Sequence, residues 1–197
     1  MDMENKRVLV FGTGVSGIGA ADLLLEKGAG VILYDGNDRQ EPEEILAKLK
    51  KREGARVILG ELPEEALDDL DLAVLSPGVP TDLPDVLRIK EKVPVWGEVE
   101  LAWQAGQGTV LAITGTNGKT TTTALLGRIM ADARDSVHVV GNIGTPYTSV
   151  ALEMVPDTVT VAEISSFQLE TVHTFHPRVS AILNITEDHL NRHHTMA

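Results

Sequence analysis

The sequence predicts an α/β protein built as two successive units, each a parallel sheet with helices on its faces. Three observations predict it. Short β-branched runs alternate with longer amphipathic stretches along the chain. A glycine-rich turn follows a strand and opens a helix twice, at Gly12–Gly17 and at Gly115–Lys119. Charge is also uneven: residues 1–104 hold 12 basic and 21 acidic side chains, residues 105–197 hold 5 and 8, and all six histidines lie in the second part.

In order, Arg7–Phe11 reads as a buried strand. Ser16–Lys27 has apolar residues at helical spacing and stops at Gly28. Val31–Tyr34 is a second strand, Pro42–Arg52 a charged helix, Arg56–Leu59 a third strand and Leu72–Leu75 a fourth, halted by Ser76-Pro77-Gly78. A helix over Asp82–Glu91 and a run at Val93–Trp96 complete the first unit, set at residues 1–94. The second unit, residues 95–197, opens with a helix at Glu98–Gln104 and a Gly-containing link. A strand at Thr109–Ile113, a helix at Thr120–Ala131, and strands at Val137–Val140, Thr158–Ala162 and Val179–Leu183 follow. Trp96 and Trp103 are expected to pack at the junction, and the run Glu41–Glu53 to form a solvated face.

Composition narrows the function. Of 197 residues, 43% are hydrophobic and 23% charged, as in ordinary globular chains. The net charge of −12 argues against broad nucleic-acid binding, which needs Lys and Arg on phosphates. A local phosphate site made of backbone N–H groups stays open. The absence of cysteine removes disulfides, zinc-thiolate sites and thiol nucleophiles. No apolar run approaches the roughly 18 residues of a membrane helix, and the start carries no secretory signal pattern. The expectation is a soluble cytoplasmic protein with neither a membrane nor a nucleic-acid partner.

Four segments carry chemistry. Gly12-Thr13-Gly14-Val15-Ser16-Gly17 permits a tight turn and close approach to a pyrophosphate at a helix N-terminus. Asp35, 18 residues after Gly17, stands near the position of a ribose-binding carboxylate. This Rossmann-like pattern fits a nicotinamide or flavin cofactor, another nucleotide-containing ligand, or a purely structural turn. The second segment, Thr114-Gly115-Thr116-Asn117-Gly118-Lys119-Thr120-Thr121, lies between strand and helix. Its backbone N–H groups suit phosphates, Lys119 the β/γ oxygens and the Thr120 hydroxyl Mg²⁺. It departs from the common G-x-x-x-x-G-K-[ST] spacing, because Ile113 replaces the first glycine. Third, Glu163 follows an apolar run at a strand's carboxyl end, where it is either a metal-facing carboxylate or a solvated loop residue. Fourth, Thr186-Glu187-Asp188-His189 offers a metal ligand or proton carrier at Asp188 or His189, or a helix start with Thr186 at the N-cap. Asn142, in Gly141-Asn142-Ile143-Gly144, is a ligand contact or a turn residue. His193 and His194 read as surface residues, His173 and His176 as loop residues.

Together these blocks resemble the ATP-dependent Mur ligases of peptidoglycan synthesis. The resemblance runs over the GxGxSG turn, Ser76-Pro77-Gly78, the Thr114–Thr121 loop, Gly141–Gly144, Glu163-Ile164-Ser165-Ser166-Phe167-Gln168-Leu169-Glu170 and Asn184–Leu190, in the family's order. The Thr114–Thr121 loop is shared with folate polyglutamate synthases. The Ser165–Glu170 block beside a Rossmann-like unit looks like the D-glutamate-adding branch. The resemblance implies a Rossmann-like domain that binds UDP, followed by an incomplete P-loop α/β ATPase domain. It implies UDP-N-acetylmuramoyl-L-alanine, D-glutamate and ATP as partners, Mg²⁺ as the cofactor, and an acyl-phosphate intermediate. Val15, Ser16, Asp35 and Ser76–Gly78 would line the UDP pocket. Gly115, Thr116, Asn117, Gly118, Lys119, Thr120 and Thr121 would hold ATP. Glu163 would ligate metal with Thr120, and Asn142 and His189 would lie near the muramoyl end and a second metal, His189 joining Lys119 in catalysis.

Where family members often carry a Thr-Arg pair after the second strand, this sequence has Gly36-Asn37. Family enzymes are about twice this length, with a metal-bridging carbamylated lysine, an adenine site and a further domain after the last matching block. The expectation is therefore a truncated, inactive piece of a monomeric enzyme whose exposed apolar surface favours self-association. Competing readings are another Mur ligase, a folate polyglutamate synthase-like ligase, a nicotinamide-dependent oxidoreductase and a non-catalytic nucleotide-binding module.

Overall fold

A computed structural model describes residues 1–195. The first sheet is entirely parallel, in the order β3-β2-β1-β4-β5. Its strands are β1 (Arg7–Phe11), β2 (Gly30–Asp35), β3 (Ala55–Leu59), β4 (Leu72–Leu75) and β5 (Val95–Gly97). Helices α1 (Val15–Glu26), α2 (Pro42–Leu46) and α3 (Pro84–Lys92) connect them, with a 3₁₀ turn at Glu64–Ala66. Strand order reverses between β1 and β4, which opens a crevice at their carboxyl ends, where open α/β sheets bind ligands.

Strand alternation decides which core each side chain joins. Val8 and Val10 of β1 and Leu72 and Val74 of β4 face α1. Leu9, Phe11, Ala73 and Leu75 face α3 with Val86 and Ile89. Both faces are buried, so the strands read as continuous apolar runs rather than alternating ones. Each fully buried Val or Leu of this kind contributes about 1.5–3 kcal/mol.

The second sheet is also parallel, in the order β7-β8-β6-β9. Its strands are β6 (Thr109–Thr114), β7 (Val137–Gly141), β8 (Val159–Glu163) and β9 (Val179–Ile182). Helix α4 (Glu98–Ala105) leads into it, α5 (Lys119–Ala133) follows β6, and α6 (Tyr147–Val150), α7 (Ser166–Leu169) and α8 (Leu190–His193) are single turns; a 3₁₀ turn, Ala151–Glu153, follows α6. The two sheets share one core. Val8, Leu24 and Leu33 belong to the same cluster as Val110, Val140, Tyr147 and Ile164. Helices α1 and α6 meet so closely that a Cβ on Gly19 would lie 2.7 Å from Ser149 Oγ. Trp96 and Trp103 pack against this shared core, Trp103 edge-on to Phe175 at 5.7 Å.

Three expectations are corrected. The boundary at residue 94 falls short, because β5 pairs with β4 through Gly97 (Ala73 with Val95, Leu75 with Gly97) and so belongs to the first sheet. The helix expected over Pro42–Arg52 ends at Leu46. Tight i→i−3 bonds at Lys48 and Leu49 close it, and the Lys50 N–H turns to Asp22 Oδ1 at 2.9 Å. Thr186 is not an N-cap. Its N–H donates to Thr116 Oγ1 at 2.9 Å, and the last helix starts at Leu190 after His189 in the left-handed region (φ 52°). Helices α6 and α7 gave no periodic signal because a single turn is too short to show one.

Among the described residues no helix is long and apolar enough to cross a membrane.

Candidate functional site

The first glycine turn is shaped by contacts that only glycine tolerates. Gly12 has φ +105°, and a Cβ on Gly17 would stand 1.8 Å from the Gly12 carbonyl oxygen. Helix α1 begins at Val15 behind Gly14. Among the described residues no side chain caps it, so its first N–H groups face the crevice with the exposed Val15 and half-buried Ser16. Asp35 has a different immediate task from the one its spacing suggests. Its Oδ2 accepts from the Thr13 N–H (3.1 Å) and hydroxyl (2.8 Å), and its Oδ1 accepts from the Asn37 N–H (3.1 Å). Partial burial pushes the carboxyl up, but the bonds from Asn37, Thr13 and Gln40 together hold it below the ordinary carboxylate range. Across the crevice, Ser76 Oγ is buried beside Gly12 and Gly17 and has no hydrogen-bond partner among the described residues. Pro77 and Gly78 complete that wall.

The second loop leaves β6 and enters α5 through Gly115 (φ +143°) and Gly118 (φ +84°). It is laced to the strand-end segment beyond β9. The Asn184 amide exchanges two bonds with the backbone of Asn117, at 2.8 and 2.9 Å, and Thr116 donates its N–H to the Asn184 carbonyl. The Lys119 ammonium folds back onto the loop, donating to the carbonyls of Gly115 (2.6 Å) and Thr116 (3.0 Å). Thr120 and Thr121 are exposed on the first turn of α5.

Glu163 is not a solvated loop residue. It ends β8 in register with Ile113 of β6 and Gly141 of β7, and it is 1% exposed. Asn142 Nδ2 donates to its Oε1 at 2.8 Å, while Oε2 is buried with no partner among the described residues. The close β7 approach demands glycine, since a Cβ on Gly141 (φ +105°) would lie 2.1 Å from the Glu163 carbonyl oxygen. Register thus sets Glu163 on the same rim as the Lys119 loop, one residue from its start.

A cleft of about 640 Å³ opens here. Lys119, Gly115 and Asn142 form one side, Ser166, Phe167 and His189 another. Ser165 caps α7 through a reciprocal box with Gln168, which fixes Phe167 at the cleft. Phe167 packs against His189 (centroids 4.9 Å apart, rings tilted 53°) and His193 (5.4 Å, tilted 40°). His193, expected at the surface, bonds Ser166 Oγ at 2.9 Å. His189, on the cleft lining, lies 3.7 Å from Asp188. Among the described residues no three of His, Asp and Glu gather into a metal-holding cluster. His189 lines the cleft, whereas Glu163 reaches it only through its partner Asn142, and Thr120 is not among the lining residues.

Sequence reasoning missed several residues. Arg192 lies between the two units, and Glu98 and Glu100 are buried carboxylates at the junction. Glu100 accepts from the N–H groups of His173, Thr174 and Phe175; His173, expected only as a loop residue, also bonds the Val95 carbonyl at 2.7 Å. No local motif marks these residues, and only the long-range partner reveals each one's task.

With this geometry in view, the comparisons are specific. Residues 6–97 match the family model "Mur ligase MurD-like, N-terminal domain", and residues 113–197 match "Mur ligase middle domain". The chain belongs to the Mur ligase family. This Mur ligase chain is 58% identical over 197 residues to the UDP-N-acetylmuramoylalanine--D-glutamate ligase of Lachnospira eligens. It is 48% identical over 198 residues to the enzyme of that name from Clostridioides difficile. In both cases all of this chain is covered but only 44% of the relative, so the chain spans under half the length of these curated relatives. Among solved structures, a UDP-N-acetylmuramate:L-alanyl-gamma-D-glutamyl-meso-diaminopimelate ligase from Neisseria meningitides superposes with a TM-score of 0.55 at 19% identity. It covers 95% of this chain and 63% of that one, and shows the shared fold.

Proposed function

We propose that this Mur ligase chain is the substrate-nucleotide and phosphate-loop portion of an enzyme that joins D-glutamate to UDP-N-acetylmuramoyl-L-alanine at the expense of ATP. Residues 1–97 hold the UDP end, with Val15, Ser16, Asp35 and Ser76–Gly78 around it. Residues 98–197 begin the ATPase unit, with Gly115–Thr121 cradling the phosphates. The observation that carries this reading is the orphan Oε2 of Glu163, buried beside the Lys119 loop. A buried carboxylate with one oxygen unpaired is costly unless a cation meets it. Asn142, a neutral donor, leaves that charge uncancelled. The site therefore fits Mg²⁺, which Glu163 and Thr120 would hold, with His189 of the cleft lining as a further candidate ligand. The chemistry supplied by the ion is neutralisation of charge on phosphoryl oxygens.

An amide needs the carboxylate oxygen turned into a leaving group. The γ-phosphoryl of ATP passes to the alanyl carboxylate, ADP leaves, and the acyl phosphate forms. The D-glutamate amine attacks its carbonyl carbon, inorganic phosphate departs, and the nitrogen gives up a proton. Such chemistry asks for positioning and charge stabilisation rather than a protein nucleophile. Lys119 supplies positive charge, and Asn142 and His189 lie where the muramoyl end would reach. The glycine turn and Asp35 alone would equally suit a nicotinamide; the Lys119 loop and the buried Glu163 of the second unit favour the ligase reading.

Parallel calorimetric titrations of this chain with UDP-N-acetylmuramoyl-L-alanine, UDP, Mg·ATP and NADH test the reading. The expected pattern is binding of both UDP compounds, weak binding of Mg·ATP and no heat with NADH. NADH binding with silence from the UDP compounds would overturn it.

A further inference from the structure

Arg192 is the most heavily engaged cation in the molecule's central cleft, yet it belongs to none of the glycine or phosphate segments. Its guanidinium grips Glu170 with two bonds, Nε to Oε1 at 3.1 Å and Nη2 to Oε2 at 2.7 Å. The same group lies over the Phe167 ring, its Cζ 4.3 Å from the centroid. Its remaining donors cross to the first unit, Nη1 to the Pro77 carbonyl at 3.4 Å and Nη2 to the Val79 carbonyl at 3.3 Å. Glu170 crosses too, accepting from the Thr81 hydroxyl at 3.1 Å. The Arg192 side chain is only 14% exposed while Glu170 stays at the surface, so the guanidinium is the sheltered end of the network. A planar fork that binds a carboxylate, stacks on a ring and still has donors to spare is a use open to Arg and not to Lys.

The location gives the network its meaning. A second cleft of about 640 Å³ lies between the units, with Gly78 and Thr81 on one side and Glu170 and Arg192 on the other. It adjoins the Lys119 cleft, because Phe167 and His189 line both. A ligand that reaches from the Ser76–Gly78 turn to His189 must run through this second cleft. We propose that the Arg192–Glu170 pair is a strut that fixes the Ser76–Val79 turn against the second unit, making Arg192 a positioning residue for a ligand that spans both units. The ligand class, a nucleoside diphosphate joined to a sugar acid, rests on the function proposed above; the strut itself does not.

Two measurements on the 197-residue chain decide it. The first is amide hydrogen exchange without ligand. In Arg192→Gln, residues 76–83 should exchange faster while β1 at residues 7–11 stays protected, and unchanged exchange at 76–83 overturns the strut. The second is calorimetry with three probes. Arg192→Gln should weaken UDP-N-acetylmuramoyl-L-alanine about tenfold and UDP, which meets the turn but not the second unit, about threefold, with Mg·tripolyphosphate at the Lys119 loop unaffected. Arg192→Lys, which keeps the charge but not the fork, should restore less than half of the loss. Equal weakening of all three probes would mean general destabilisation and would overturn the positioning role. Failure of the unmutated chain to bind either UDP compound would sink the ligand reading instead, and the exchange result would then judge the strut by itself.

Discussion

Glu98 and Thr148 are joined through a single carboxylate oxygen: Glu98 Oε1 accepts the Thr148 N–H at 2.6 Å and the Thr148 hydroxyl at 2.8 Å. The bond ties the start of α4 to α6, the turn that packs on α1 of the first unit. Burial pushes the Glu98 carboxyl above its ordinary value of 4.5, and the Thr148 bonds only partly offset that push. The folded state then holds a proton that the unfolded chain has released. Glu98 therefore favours folding most at low pH, and that contribution is lost as pH rises through its elevated value. Glu98→Gln removes this titration. The melting temperature of the variant minus that of the unmodified chain should rise with pH above 4.5 and level off once Glu98 has ionised in the folded chain, and a difference independent of pH would refute the assignment.

Glu100, two residues on, runs the opposite way. Burial pushes its carboxyl up, but the Thr174 hydroxyl, the His173 and Thr174 N–H groups and Gln104 bring it down to about 2. Its stabilisation is present above the ordinary value of 4.5 and is lost as pH falls toward 2. Glu100→Ala leaves the 173–175 backbone donors unpaired and should cost about 3 kcal/mol in urea unfolding at neutral pH. A loss below about 1 kcal/mol would mean that water replaces the carboxylate.

Gly17→Ala tests the first turn. The added Cβ meets backbone, the Gly12 carbonyl at 1.8 Å, rather than a side chain that can swing away. A loss of about 1–3 kcal/mol is expected, with UDP binding lost beyond what stability explains. Full UDP affinity in a folded variant would show that the turn is not the nucleotide site.

Lys119→Ala removes both loop bonds and the positive charge proposed to meet the phosphates. Mg·tripolyphosphate affinity should fall at least about tenfold while UDP affinity stays put. Unchanged tripolyphosphate binding would contradict the loop assignment.

The second sheet ends on β9, whose Ile182 is 65% exposed, and the following Ile185 is 72% exposed. Leu125 and Ile129 of α5 are exposed as well. An edge strand with apolar side chains in water is an association surface. Light scattering should show mass rising with concentration, and Ile182→Lys should lower it toward the monomer. A concentration-independent monomer would end that expectation.

Sequence alone determined the strands and the two glycine turns. Buried parallel strands such as Arg7–Phe11 and Leu72–Leu75 carry unbroken apolar runs, and glycines are forced where backbone meets backbone. The family blocks were legible for the same reason, since Lys119, Glu163 and His189 sit in short contiguous motifs. What tertiary structure decided is everything that depends on a distant partner. Periodicity is a local signal, so it overran α2 and missed the single turns of α6 and α7. Asp35 reads from its spacing as a ribose contact, and spacing could not show that it also accepts bonds from Thr13 and Asn37. Glu100 meets its partners 73–75 residues away, and Arg192 meets Pro77 115 residues away. No linear pattern encodes such pairings, because burial and desolvation give those charges their roles only once the two sheets share a core.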